Sequence, residues 1–336
     1  CATNVHPSRS EDLLLPKREL LTTSPEKRNR IVRTLGIDTS NYTTSAAAFD
    51  GENGVNDGRL LDVRNGALGL RQSDALFQHV KHLPDRIAAL RDMGWLSGLS
   101  AVAASTRPRA VEGSYMPCFL AGESQGRSIA EVLGIPFFPV SHQQGHIAAA
   151  AWSAGRLDLL DAPMLAWHLS GGTTELLLVE PDGVNIRAEK LGGTSDISAG
   201  QLIDRTGVLL GLNFPAGKAL DTLYYQEDGG TPYFIKLQNF TFSLSGMENK
   251  VKNMLAEGCT PPSIARFAVN TVISAVRRVT DAARRDYPGL PVLFSGGVAS
   301  NSALRAAMPD AIFAAPAYAS DNAMGAAVLA NREDVD

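Results

Sequence analysis

Two imidazoles stand four residues apart in His142-Gln143-Gln144-Gly145-His146. On a helix that spacing puts both rings on one face, where they can share a divalent ion. Spacing alone leaves a second reading open, in which both are surface or helix-capping histidines. The motif holds no glutamate to act as the general base of a zinc protease, so peptide hydrolysis of that kind is disfavoured. No paired nucleophile and base is visible elsewhere in the sequence.

A second kind of chemistry is written in turns of small residues. Leu35-Gly36-Ile37-Asp38-Thr39-Ser40-Asn41-Tyr42-Thr43-Thr44-Ser45 runs into the apolar stretch Ala46-Ala47-Ala48-Phe49. In mid-chain, Ala166-Trp167-His168-Leu169-Ser170-Gly171-Gly172-Thr173-Thr174-Glu175 runs into Leu176-Leu177-Leu178-Val179. Each is an apolar strand, a turn and a second apolar strand. Such turns aim backbone N–H groups and hydroxyls in one direction, which suits phosphate oxygens. Two copies facing across a cleft could hold one nucleotide from both sides. A third turn, Ser295-Gly296-Gly297, sits between a strand and a helix; it allows close backbone approach to an anion, or is an ordinary tight turn. Asp321-Asn322 reads as the N-cap of the last helix, Asp204 and Arg205 as a surface ion pair, and His79 and His82 as structural.

Strands are expected at Ile31–Asp38, Ser45–Phe49, Leu99–Ser105, Ile135–Val140 and Pro291–Phe294. Helices are expected over Gln78–Met93, Gly122–Leu133, His142–Gly155, Asp196–Leu210, Pro262–Asp286 and from Ser320 or Asp321 to Leu329. The alternation predicts an α/β protein, and the repeated hairpin a duplicated, two-lobed nucleotide-binding fold. The expected organisation is an extension over residues 1–30, a first lobe over 31–145, and a second over 146–319, with the helix at 320–331 packing back on the first.

The chain has 336 residues, 44% of them hydrophobic, and a formal net charge of −4. That balance argues against a nucleic-acid binder driven by global charge alone, though not against a local basic patch. No apolar run is long enough to span a bilayer, which excludes a membrane-embedded role for helices. Three cysteines without metal-type spacing, Cys1, Cys118 and Cys259, argue against a disulfide scaffold and favour a cytoplasmic address. The first thirty residues are rich in Ser, Thr, Pro, Lys and Arg, and read as a flexible extension or an incomplete start rather than a targeting peptide.

Taken in order, the motifs from about Arg33 to Asn331 resemble the TsaD/Kae/Gcp family, the tRNA adenosine threonylcarbamoyltransferases once called O-sialoglycoprotein endopeptidases. The resemblance implies an actin-like ATPase (ASKHA) fold. It matches His142 and His146 to the family's two metal histidines and Asp321 to its metal aspartate, a three-ligand set for one divalent ion, iron or zinc. His168, Leu169, Ser170, Gly171 and Gly172 match the phosphate-facing turn. Asp204 and Gly217 match residues that hold the nucleoside, and Gly296, Gly297 and Asn301 the purine-side turn. Phe242-Ser243-Leu244-Ser245-Gly246 resembles the family's Phe-Ser-Phe-Ser-Gly. The implied reaction moves a threonylcarbamoyl group from threonylcarbamoyl-AMP to the N6 amine of the adenosine beside a tRNA anticodon, with helper proteins as partners and no membrane.

Several positions depart from the family pattern. Asn41-Tyr42-Thr43 stands where Cys-Asp-Glu is usual, and Thr106-Arg107-Pro108-Arg109 where a Gly-Pro-Gly loop is usual. Thr173 replaces a His, Gly193 a Glu and Glu248 a Lys. Metal and purine residues are kept while residues near the reacting group change. Two further readings follow: a paralogous carbamoyl- or acyl-adenylate transferase with another acceptor, in which Arg107 and Arg109 recognise an anionic group, and a non-catalytic nucleotide-binding subunit.

Overall fold

The computed structural model describes residues 32–40, 42–63 and 70–332. Residues 1–30, Ile31 and Asn41, on which some of the expectations above fall, lie outside the described residues.

The first half of the chain contains β1 (Arg33–Asp38), β2 (Thr43–Phe49), β3 (Gly54–Leu60), α1 (Gln72–Asp92), β4 (Leu99–Arg107), α2 (Phe119–Leu133), β5 (Phe137–Ser141) and α3 (His142–Ser153). The second half contains β6 (Met164–Leu169), β7 (Thr174–Asp182), β8 (Asn185–Thr194), α4 (Ala199–Leu209), α5 (Gly217–Tyr224), β9 (Thr241–Phe242), α6 (Ser245–Ala256), α7 (Pro261–Asp286), β10 (Val292–Ser295), α8 (Ser302–Ala307), β11 (Ile312–Phe313) and α9 (Met324–Asn331).

Two sheets result, in the orders β3-β2-β1-β4-β5 and β11-β10-β6-β7-β8-β9. Substituting β6 for β1, β7 for β2, β8 for β3, β10 for β4 and β11 for β5 turns the first order into the second, with β9 added at the edge. Directions agree as well: β1–β2 and β6–β7 are antiparallel, while β1–β4, β4–β5, β6–β10 and β10–β11 are parallel. The repeated hairpin is therefore the visible part of a repeated sheet. Its third strands, β3 and β8, are not among the strands expected from the sequence. Both carry polar residues at the sheet margin (Asn56, Asp57 and Arg59; Arg187, Glu189 and Lys190), which hides the alternation that marks a half-buried strand.

In this correspondence α3 follows β5 as α9 follows β11. Both are buried on nearly every face, and one apolar cluster joins them to Ala47 and Ala103 of the first sheet and Ala166, Leu177 and Leu293 of the second. Helices apolar all round belong in an interior. Their alanines, Ala148–Ala151 and Ala326, Ala327 and Ala330, keep them slim enough to lie together between two sheets. At the crossing a side chain on Gly325 would run into the Gly145 carbonyl, so glycine is required there. Leu35 and Ile37 pack outward on α1 and α2, while Trp167 and Phe294 pack outward toward α7, where the Trp167 indole donates to Thr280 Oγ1 at 2.8 Å. The order of layers is helices, sheet, the α3/α9 pair, sheet, helices.

Sequence-derived boundaries shift in places. Helix α1 begins at Gln72, six residues earlier than expected, and α4 begins at Ala199, because Asp196 is held elsewhere: its carboxylate accepts from Ser243 Oγ and from the Leu244 amide. Helix α3 is continuous across residues 145 and 146. No described helix is long and apolar enough to cross a membrane.

Candidate metal and nucleotide site

Helix α3 starts directly where β5 stops. Ser141 closes a capping box, its Oγ accepting from the Gln144 amide at 3.2 Å and its own amide donating to Gln144 Oε1 at 2.8 Å. This cap fixes His142 as the first helical residue and His146 one turn later on the same face. Asp321 arrives from the other end of the chain. Thr34 Oγ1 donates to the Ala327 carbonyl at 2.7 Å, and the Ala323 amide donates to Asn56 Oδ1 at 3.0 Å. Those bonds tie α9 to β1 and β3, and with them the residues that precede it.

The outcome is a tight cluster. His142 Nε2 and His146 Nε2 are 3.0 Å apart, and Asp321 Oδ1 lies 3.2 Å from His146 Nε2 and 3.5 Å from His142 Nε2. Both rings and the carboxylate are largely buried, which removes the reading of His142 and His146 as surface histidines. Asp321 is not an N-cap: α9 begins three residues later, and Asn322 Oδ1 accepts from the Met324 amide instead. The carboxylate is thus left to face the imidazoles.

Two ring nitrogens and a carboxylate converging at these distances are satisfied by shared protons or by a cation between them. His142 supplies part of this itself. Burial disfavours its charged form, but Asp38 and Asp321 outweigh burial and push it up to about 10. Burial, then the charge on His142, holds His146 below the usual histidine range. Asp321 is held far below the ordinary carboxylate range by hydrogen bonds from both imidazoles, against the opposing effect of burial. The donor set fits a divalent ion: two imidazoles and one carboxylate, with His142 Nδ1 anchored on Asp38 Oδ2 at 2.9 Å as in carboxylate–histidine–metal arrangements.

Sequence reasoning does not pick out Asp38, although an acid at the end of the apolar run Leu35-Gly36-Ile37 is a signal. It is buried, accepts from the Ser40 amide at 2.8 Å and from Ser105 Oγ at 2.7 Å, and is held below the usual range because His142 outweighs the effect of burial. His168 packs edge-on against His146 with ring centroids 4.6 Å apart; burial keeps it well below the usual histidine range, hence neutral. Glu175, cross-strand partner of His168, is also missed by sequence reasoning; it is buried and paired with Arg109 and Lys190.

The turn after β6 is built from its main chain. The Ser170 amide donates to the Thr173 carbonyl at 2.8 Å, and the Thr173 amide to Ser170 Oγ at 3.1 Å. Ser198 Oγ holds the Gly171 carbonyl at 2.6 Å, leaving Gly171 and Gly172 exposed. Leu169 is fully buried in the core, so only its backbone can meet a ligand. Its carbonyl abuts Gly296, which has φ +91° and no room for a Cβ, so the turns at 169–172 and 296–297 adjoin.

Asp204 and Gly217 are brought together by the intervening Ala216, whose amide donates to Asp204 Oδ1 at 2.8 Å. Burial raises the Asp204 carboxyl. Asp204 and Arg205 do not pair; Arg205 reaches Glu248 at 2.9 Å. Asn301 caps α8, accepting from the Leu304 amide at 2.9 Å, and donates to Asp221 of α5 at 2.8 Å. Its side chain thus holds the Gly296-Gly297 turn to the helix that Gly217 begins. His79 is buried beside Thr44 Oγ1 at 2.8 Å, a structural placement.

The tRNA N6-adenosine threonylcarbamoyltransferase family model (TsaD) matches residues 73–328. A tRNA N6-adenosine threonylcarbamoyltransferase of Thermus thermophilus is 32% identical over 285 residues, covering 82% of this chain and 83% of its own length. That of Granulibacter bethesdensis is 32% identical over 310 residues, covering 82% and 80%. Among solved structures, full-length HypF in its phosphate- and nucleotide-bound form aligns with a TM-score of 0.60 at 15% identity, covering 91% of this chain and 56% of that one. The Acidaminococcus fermentans (R)-2-hydroxyglutaryl-CoA dehydratase component A aligns with a TM-score of 0.54 at 17% identity, covering 91% and 100%. The repeated sheet agrees with these likenesses, and the chain, built on the actin-like ATPase fold, belongs to the tRNA N6-adenosine threonylcarbamoyltransferase family.

Proposed function

We propose that this protein transfers a threonylcarbamoyl group from threonylcarbamoyl-AMP to the N6 amine of the adenosine beside a tRNA anticodon, and that the transfer depends on a divalent metal ion. The observation that carries this reading is the convergence of His142, His146 and Asp321 within 4.8 Å, next to the turns at 169–172 and 296–297, in a chain of this family. The division of labour follows from the chemistry of each part. Backbone N–H groups of Gly171 and Gly172 hold the adenylate phosphate, and Asp204, Gly217, Gly296, Gly297 and Asn301 surround the nucleoside, Asn301 by bracing its turn. His142, His146 and Asp321 would hold the ion, which supplies Lewis-acid polarisation of a carbonyl. Asp38 keeps His142 in one orientation through Nδ1. The attacking amine displaces AMP; nitrogen gains the acyl group and loses a proton. Iron and zinc both suit the donor set. In this reading residues 31–145, with the helix at 320–331 packing back on them, and residues 146–319 form the two lobes, tRNA is the acceptor, and helper proteins contribute to its binding, in keeping with the net charge of −4. A cytoplasmic location accords with a tRNA acceptor.

The test is to delete the gene in its host, digest total tRNA and quantify threonylcarbamoyladenosine by mass spectrometry. Loss of the modified nucleoside, restored by the wild-type gene and not by His146→Ala, is expected. An unchanged level would sink the tRNA acceptor. The second reading, an adenylate transferase with another acceptor, would then stand, favoured by the charged loop at Thr106–Arg109.

A further inference from the structure

The geometry points to an anion subsite beside the metal triad, formed by Arg109 and Lys190 on the carboxylate of Glu175, that receives a carboxylate carried on the transferable end of the adenylate. This rests on the adenylate reading above and deepens it: Arg109 and Lys190 are the residues that take the carboxylate a threonylcarbamoyl group already carries.

Position comes first. Glu175 of β7 is the register partner of His168 of β6, so the two side chains leave the same face of the sheet. His168 packs on His146, which places the Glu175 carboxylate beside the triad. The loop bearing Arg109 is attached to the same helix as the histidines: the Gln143 amide donates to the Pro108 carbonyl at 3.1 Å, and Gln143 Nε2 reaches Glu175 Oε2 at 3.4 Å. The Arg109 amide is held by Ser114 Oγ at 3.0 Å. Arg109 is therefore a placed group rather than a swinging surface cation.

Charge is the second argument. Glu175 has 6% of its surface exposed, and a single cation would satisfy its charge. It has two: Arg109 Nη2 at 2.8 Å and Lys190 Nζ at 3.0 Å, both on Oε1. One positive charge is left over. Arg109 commits only Nη2; its Nη1 and Nε have no hydrogen-bond partner among the described residues, and 46% of its side chain is exposed. A guanidinium edge with free donors is the group best shaped to take a carboxylate in two parallel hydrogen bonds. The adenylate phosphate, in the reading above, already has the Gly171-Gly172 turn.

The experiment uses the metal-loaded full chain and isothermal titration with two probes. One is a non-hydrolysable sulfamide mimic of threonylcarbamoyl-AMP; the other is the same mimic with its carboxylate converted to a carboxamide. Wild-type protein should prefer the charged probe by about tenfold or more, as a charge-assisted pair predicts. Arg109→Met should abolish that preference while the carboxamide probe still binds as in wild type, and Arg109→Lys should restore part of it. Lys190→Met, at a half-exposed position, should reduce the preference without disturbing folding; thermal melting and metal content check both sites. Equal affinity of wild type for the two probes, or a preference that survives in both Arg109→Met and Lys190→Met, overturns the subsite. Binding of neither probe overturns the adenylate reading itself, and the subsite with it.

Discussion

The hairpins β1–β2 and β6–β7 occupy equivalent places in the two sheets, yet they use opposite halves of the polypeptide. Each closes on a register pair, Asp38↔Ser45 in one and Leu169↔Thr174 in the other. The first strand ends in a buried carboxylate, and everything around it, Ser40, Ser105 and His142, hydrogen-bonds to that side chain. The second ends in a leucine sealed in the core, and the turn beyond it leaves Gly171 and Gly172 bare. In the function proposed above, one copy would orient a metal ligand through a side chain, and the other would offer main-chain N–H groups to an anion. Duplication supplied two similar supports, and the residue types at each strand end divided the work. The same division runs through α3 and α9, which meet at Gly145 and Gly325: one brings two imidazoles, the other a carboxylate from the turn before it.

If the division is real, damage on one side should leave the other intact. The largest effect is expected from His142→Ala or Asp321→Asn, either of which should lower metal affinity by roughly a hundredfold or more, measured by elemental analysis after dialysis against a weak chelator, with adenine-nucleotide binding retained. Nucleotide binding lost together with the metal would show that the two hairpins are one site. Asp38→Asn keeps the shape of the side chain and removes the charge behind His142; about a tenfold to hundredfold loss of metal affinity is expected, again with nucleotide affinity kept. Gly296→Ala strikes the other side. At φ +91° and against the Leu169 carbonyl the added methyl should cost about 1–3 kcal/mol of stability in denaturant unfolding and weaken nucleotide binding, while metal content stays at wild type.

The smallest expected effect is a change of pH dependence. Burial raises the Asp204 carboxyl above its unfolded value, so the folded state binds a proton more tightly than the unfolded one. Stability from this group is present below the unfolded carboxylate range and is lost as pH rises through the folded value. Asp204→Asn keeps an acceptor for the Ala216 amide and should remove that loss, with a slightly higher Tm at neutral pH and weaker nucleoside binding. A Tm difference that does not change with pH would place the burden elsewhere.

Much of this architecture is legible in the sequence because it rests on local patterns. Apolar runs followed by small residues mark β1, β2, β6 and β7, and Pro261-Pro262 marks the start of α7. The third strands β3 and β8 are not legible, since few of their residues are buried and their polar residues break the alternation. The reading of Asp204 with Arg205 as a pair fails because adjacent residues on a helix point in different directions. Asp321 reads as a cap because an acid before an apolar helix usually is one; only the fold shows Asn322 doing that work instead.

The sequence by itself determined the repeat, the metal-type spacing of His142 and His146, and the glycine turns, all properties of residues within one turn or one hairpin of each other. The family resemblance had already set Asp321 beside the two histidines; tertiary structure alone decided how Asp321, 175 residues from His146, reaches them, that Asp38 stands behind His142, and that Glu175 gathers Arg109 and Lys190 beside it. The physical reason is burial. The slim α3/α9 pair has no stable place except between the two sheets, and closing the chain around it forces distant charged groups into one dry pocket, where each must find a partner.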